Sequence, residues 1–343
     1  MFSNLRRKRH VVAGRFLRYV PLVKRIYPGA DPNCGSKREA IFAHYDRTGI
    51  VYPYVMYHLS ELNRCGFRIT FVTSSPSLND EYLRVLTELC RQIIVRRNYG
   101  YDFGSYKDGL KHVGDLQNTE QIILVNDSTY GPVWSLTNLL SAFTPERCDF
   151  WGVTESWQNG YHLQSYFIAF YPAAFLSSTF QDFWRDFPYI SKKELSIKRG
   201  ELEFTRSLLQ ANLRCGVYCD YWKVYRRAHE IIKERKAEHV RPSGRYTGAS
   251  TTANTDGLLC SLTNQLVQYR YRHLKELLVS GNLLNPTHDL WDLLLAEFKS
   301  PFIKREHLNI NPNKIPNAWL WDMAISKLSD YPVELIREHL KRQ

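Results

Sequence analysis

Along the first half of the chain, short apolar runs alternate with amphipathic stretches. "AIFAHYD" (40–46) is an apolar run that ends in polar groups. "YPYVMYHLSELNRCG" (52–66) repeats its apolar positions at helical spacing and closes on a glycine. "FRITFVTSS" (67–75) has the pattern of a strand, and "SLNDEYLRVLTELC" (77–90) that of a helix capped by Asn79 or Asp80. "QIIVRR" (92–97) and "QIILVNDS" (121–128) are further buried-type strands, and the order strand–helix–strand repeats throughout. Such alternation predicts an α/β domain: a mostly parallel, Rossmann-like sheet with helices on its faces.

The second half changes period. "CDFWGVTES" (148–156) and "YHLQSYFIAFY" (161–171) predict neighbouring strands around a "WQNG" turn. Residues 173–187 and 201–216 predict helices, 217–222 a short strand, and 282–308 a mixture of helix and loop. No repeat or low-complexity tract interrupts the chain. The expected organisation is a basic N-terminal segment over 1–37, one domain over 38–312, and a helical C-terminal part over 313–343.

In an open parallel sheet, ligands gather at the carboxyl ends of the strands. Those ends carry His44, Tyr45 and Asp46, then Thr73, Ser74 and Ser75, then Arg96, Arg97 and Asn98, then Asn126, Asp127 and Ser128. Together they outline a site for a polar ligand, although loops are polar in any protein. The third strand leads into "RRNYGYDFGSYKDGL" (96–110), which is too polar for a buried strand and too rich in glycine for an ordinary helix. Gly100 and Gly104 let the backbone turn tightly and approach a ligand. Arg96 and Arg97 can pair with phosphate, and Asn98 and Asp102 can hydrogen-bond a base or ribose. A carboxylate at the tip of a buried strand needs a cation. Asp127 is therefore either a ligand of Mg2+ or Mn2+ bridging to a diphosphate, or the cap of the next helix.

Charge narrows the partners. The 343 residues carry 46 Lys and Arg against 34 Asp and Glu, a net charge of +12, which favours anionic partners. Residues 5–27 alternate basic and apolar positions without a single acid, and they predict a helix that lies on an anionic membrane surface or docks by its apolar face. No run approaches the roughly 18 apolar residues needed to cross a bilayer. The seven cysteines, at 34, 65, 90, 148, 215, 219 and 260, are scattered and odd in number, which predicts free thiols in a reducing cytoplasm. No zinc-finger spacing or RNA-recognition signature is present, which argues against nucleic acid as the partner.

"HYD", "RRNYGYDFGSYKDGL", "ILVNDSTYGPV", "CDFWGVTES", "YHLQSYFIAF", "NPTHDLW" and "PFIK" occur in an order that resembles the rhamnan synthesis protein F family, over residues 38 to 312. The resemblance implies a GT-A-like glycosyltransferase of bacterial surface polysaccharide assembly. Its donor would be a nucleotide sugar such as dTDP-L-rhamnose, and its acceptor a lipid-linked or growing glycan of O-antigen, capsule or rhamnan. The expected location is cytoplasmic, peripheral on the inner membrane. The acidic triplet reads "NDS" where related enzymes carry a DxD-like triplet.

Under this resemblance the donor site comprises His44, Tyr45, Asp46, Arg97, Asn98, Gly100, Asp102, Asn126, Asp127, Ser128 and Lys304, with Asp127 and His288 as metal ligands. An inverting transfer needs a base for the acceptor hydroxyl. Glu155 is the candidate and Asp149 the runner-up, with Trp151 as a sugar platform and His162 and Gln164 on the acceptor. Two other readings stand beside this one: a nucleotide-sugar or glycan-binding protein without catalysis, and a basic polyanion binder.

Overall fold

The computed structural model describes residues 20–240 and 268–342. Its centre is a mixed sheet of nine strands flanked by helices. The strands are β1 (Val23–Pro28), β2 (Arg38–His44), β3 (Arg68–Thr73), β4 (Gln92–Arg96), β5 (Gln121–Asn126), β7 (Phe150–Ser156), β8 (His162–Leu163), β9 (Phe167–Phe170) and β10 (Cys215–Cys219). Their order is β1-β4-β3-β2-β5-β9-β7-β10, with β8 paired to β7. Strands β4, β3, β2 and β5 are mutually parallel, and β9 runs antiparallel between β5 and β7. The carboxyl ends of β2 to β5 and of β7 therefore share one edge. A two-stranded ribbon, β6 (Thr129–Tyr130) with β11 (Ile303–Lys304), stands beside that edge.

Both faces of the sheet are covered, as the near-continuous apolar runs of its strands require. Alternate residues of β2 serve different cores. Ala40 and Phe42 pack with the helix Pro53–Arg64 and the C-terminal helices, while Ile41 and Ala43 pack against Phe103, Phe180, Trp184 and Phe204. Proline opens Pro53–Arg64, where a missing N–H costs nothing. Asn79 caps Asp80–Leu89 by accepting from the Tyr82 amide at 2.8 Å.

Three expectations need correction. Residues 23–28, expected at the end of a basic helix, form β1, which closes the sheet by pairing antiparallel with β4. Residues 5–19 lie outside the described part. Second, the glycine-rich stretch contains a helix, Tyr101–Leu110. Gly100 does turn the chain, with φ +89°, but Gly104 and Gly109 serve packing. A Cβ at Gly109 would meet Ile41 Cγ2 at 2.3 Å, so glycine lets this helix lie close on the sheet. Third, the strand expected over 217–222 is β10, Cys215–Cys219, and Tyr221 already begins the helix Tyr221–Val240. The six described cysteines are free thiols; Cys260 lies outside the described part.

Candidate functional site

A cleft of about 670 Å3 opens at the carboxyl edge of the sheet. Its floor is the turn after β5. Asn126 Oδ1 accepts from the Ser128 amide at 3.0 Å, and its Nδ2 donates to Asp102 Oδ2 at 2.9 Å. One asparagine thus ties the acidic turn to the first turn of Tyr101–Leu110. The ribbon β6–β11 carries residues from 176 positions later onto the same spot. Lys304 Nζ donates to Ser128 Oγ at 3.3 Å and lies 4.7 Å from the centre of the Tyr166 ring. Arg305 donates from NH1 to the Asp127 backbone oxygen at 2.9 Å and to Asp127 Oδ2 at 3.1 Å. Two cations and two carboxylates therefore face each other at one point of the cleft.

Burial sets their protonation. Asp102 is pushed up to about 7, first by desolvation and then by the Asp127 carboxylate, with Lys304 and Arg305 acting against the shift. Burial pulls Lys304 below its ordinary value, opposed by Glu201 and Asp102. Burial and the nearby Lys304 charge lower the pKa of His288, which also lines the cleft and whose buried Nδ1 has no hydrogen-bond partner among the described residues.

The opposite wall is built from β7, β8 and the segment after them. His162 holds its ring by Nδ1 against the Gly160 carbonyl at 2.9 Å, and its Nε2 lies 3.8 Å from Glu201 Oε2. Glu201 Oε1 accepts from the Ser165 amide at 3.2 Å and from the Ser165 hydroxyl. Gln164 also lines the cleft, but its amide is committed to Thr154, Thr287 and Asn285, so it braces the wall.

Of the residues anticipated from sequence, Tyr45, Asn98, Asp102, Asn126, Asp127, Ser128, His162, Gln164, His288 and Lys304 line this cleft. The others lie elsewhere. His44 is buried against Thr73 Oγ1 at 3.0 Å, and burial lowers its pKa. Asp46 spends its carboxylate on Thr48 and the Ile50 amide, closing a turn. Gly100 is the N-cap residue of Tyr101–Leu110 and does not line the cleft itself. Arg97 is exposed and lies outside the lining, and Arg96 is fully buried in an ion pair with Asp108 at 2.8 Å, so Arg96 is not free to hold phosphate.

The acceptor-side assignments change most. Trp151 is completely buried and stacks on Phe143 at 4.9 Å, so it offers no face to a sugar. Asp149 sits at the opposite end of β7, bound to Arg214 at 2.7 Å, which holds its carboxyl below the ordinary range. Glu155 points away from the cleft and accepts from the Tyr221 amide at 2.7 Å, capping the helix that starts there; burial raises its pKa. Neither carboxylate reaches a substrate in the cleft. Glu201, Arg305, Lys193 and Asn285 were not anticipated and do line it. Arg305 was legible as the neighbour of Lys304; Glu201, inside "KRGELEF", carried no signal.

Residues 69–234 match the rhamnan synthesis protein F family. The match runs from β3 into Tyr221–Val240 and includes the acidic turn, His162 and Glu201, while Lys304 and Arg305 lie beyond it. The chain is also 28% identical over 289 residues to virulence protein VirA of Vibrio anguillarum, covering 83% of each. Among solved structures it is similar to a mannosyltransferase of Pyrobaculum calidifontis in complex with GDP-Man and Mn2+, at a TM-score of 0.38 and 12% identity, covering 82% of this chain and 94% of that one. A second is Staphylococcus aureus TarS 1-349, at 0.34 and 12%, covering 87% and 82%. Among the described residues no group of three or more His, Cys, Asp or Glu is arranged around one point.

Proposed function

We propose that the protein is a GT-A-like glycosyltransferase that binds a nucleotide sugar in this cleft and passes the sugar to a glycan hydroxyl. The observation that carries the reading is the meeting of Lys304 and Arg305 with Asp102 and Asp127 at the carboxyl end of β5. Such a point suits a diphosphate: the cations neutralise it, and the carboxylates orient a counter-ion or a ribose. The match to rhamnan synthesis protein F favours an activated deoxyhexose, dTDP-L-rhamnose first, and a bacterial surface polysaccharide as product.

The donor set fits a divalent cation. Magnesium takes one or two carboxylates and completes its shell with substrate phosphates and water. Asp127 and Asp102 would hold it, and a neighbouring dication answers the charge problem that burial creates at Asp102. When bound, the ion supplies charge neutralisation to the leaving diphosphate. The chain's own groups do the rest. Lys304, pinned by Ser128 Oγ, and Arg305, pinned by Asp127, are held in place before the donor arrives. They stabilise the negative charge that grows on the diphosphate as the sugar leaves.

The test is thermal unfolding against nucleotide sugars, with Mn2+ or with chelator. A ligand of the native state raises the midpoint. dTDP-L-rhamnose is expected to raise it most, and Mn2+ to increase the effect. Arg305→Met is expected to weaken binding by about 1.5–3 kcal/mol, the range for a hydrogen bond to a charged group. A midpoint unmoved by every nucleotide sugar would remove the reading.

A further inference from the structure

The cleft has a second chemical pole, across from the cations, and it sits on an unusual piece of backbone. Lys198–Leu202 is a π-helical turn between the helices Lys193–Ile197 and Glu203–Gln210. Single π turns inside helices recur at functional sites, because the extra residue rotates one side chain out of the regular helical order. Here Gly200 makes the turn possible. A Cβ at that position would lie 2.6 Å from the Phe103 ring, so only glycine lets the turn rest on the helix that carries Asp102. The next residue is Glu201, which lines the cleft with Asp102 and Lys304.

The two oxygens of Glu201 have different surroundings. Oε1 is held by the amide and hydroxyl of Ser165. Oε2 faces His162 Nε2 at 3.8 Å. His162 Nδ1 lies 2.9 Å from the Gly160 carbonyl, which can only accept, so Nδ1 carries a proton and the ring, held from behind, directs Nε2 toward Glu201. Nε2 and Oε2 thus face one another, too far apart to bond directly and both fixed from behind. The gap leaves both atoms open to hydroxyl groups of a ligand in the cleft. Two adjacent hydroxyls on a sugar ring fit it, one directed to each atom.

We infer that Glu201 is the base of the transfer and that the Glu201–His162 pair selects a vicinal diol as acceptor. This rests on the glycosyltransferase reading above. One hydroxyl donates to Glu201 Oε2 and its neighbour bonds His162 Nε2. The first oxygen attacks the anomeric carbon of the donor and forms the new C–O bond. The anomeric carbon–phosphate oxygen bond breaks, its electron pair leaves with the nucleoside diphosphate, and the hydroxyl proton passes to Glu201 Oε2 and then to solvent. Glu201 lines the same cleft as Lys304, which the reading above places on the diphosphate, so base and leaving-group cation share one site. His162 is a positioning residue.

The experiment uses the full chain, dTDP-L-rhamnose and methyl α-L-rhamnopyranoside, with donor binding and turnover measured separately. Glu201→Gln is expected to bind donor as the wild type does and to lose roughly 10²–10⁴-fold in turnover. Glu201→Ala is expected to recover part of its turnover in added formate, which restores a carboxylate without restoring the fold. Removing the hydroxyl next to the attacking one is expected to penalise the wild type and to add nothing to the loss already present in His162→Ala. Glu201→Gln with wild-type turnover, or Glu201→Ala that formate leaves inactive, overturns the assignment of the base. An equal deoxy penalty in wild type and His162→Ala overturns the diol contact. A wild type that binds no nucleotide sugar overturns the glycosyltransferase reading and this assignment with it.

Discussion

Asp102 shows how one residue answers to its surroundings. On the sequence it is an ordinary acid in a glycine-rich stretch. In the fold it is half-buried beside Asp127, and desolvation raises its pKa to about 7. Between about pH 4, where an unperturbed aspartate ionises, and that value, the unfolded chain ionises this carboxyl while the folded chain keeps it protonated. Stability therefore falls as pH rises through the window, by at most about 4 kcal/mol at about 1.4 kcal/mol per unit. Asp102→Asn is expected to flatten that slope and to raise the thermal midpoint at pH 8 relative to pH 5. Midpoints of both proteins across this range are the check, and parallel curves would remove the buried-acid account. Glu155 makes the opposite point. Its type and place after a strand suggested a base, but its carboxylate caps a helix. Glu155→Ala is expected to cost about 0.5–2 kcal/mol of stability and to leave donor affinity unchanged. Chemical denaturation and titration of the nucleotide sugar separate the two effects.

At the scale of elements, the helix Tyr101–Leu110 matters most, because it presents Asp102 to the cleft while lying against β2 and β3. Its glycines reflect that closeness. Gly109→Ala puts a methyl group 2.3 Å from Ile41 Cγ2 and 3.0 Å from Val72 Cγ2. The expected result is a loss of about 1–3 kcal/mol, as for other overpacked cores, with the cleft chemistry intact at permissive temperature. A glycine that served ligand approach would show the reverse: full stability and lost binding. The periodicities of the flanking elements were legible in the sequence because each strand alternates between two buried faces and each helix shows one. This helix was not, because its glycine and polar content obeys the packing distance to a neighbour that the sequence does not name.

Across the whole molecule, the C-terminal residues belong to the main core. Ile315, Ala318, Trp321, Ile325 and Ile336 are buried with residues of β2, β3 and Pro53–Arg64, and Tyr130 bonds His339 through Nδ1 at 2.6 Å. Ending the chain at residue 312 is expected to expose this surface and to give aggregated protein. A soluble, donor-binding fragment would show instead that the helices are an accessory. No helix among the described residues is long and apolar enough to cross a membrane. The ribbon β6–β11 has the same integrating role at the site, since it delivers Lys304 and Arg305 to the turn after β5.

What the sequence determined by itself is local and repetitive. The alternation of apolar runs and amphipathic stretches specified the α/β sheet, and the polar residues at the ends of β2 to β5 specified the edge where a ligand gathers, because a parallel sheet puts all those ends together. The acidic turn and Asp102, which follow β5 and β4, were legible for that reason, whereas His162 was read from its own strand and Lys304 from the family resemblance. Tertiary structure alone decided which charges meet. Arg96 faces inward to Asp108, Arg305 arrives from the start of a distant helix to pair with Asp127, and a π turn over Phe103 brings Glu201 opposite His162. Each of these depends on a contact between segments far apart in the chain, and side-chain direction at a strand end or an irregular turn is fixed by such contacts rather than by local pattern.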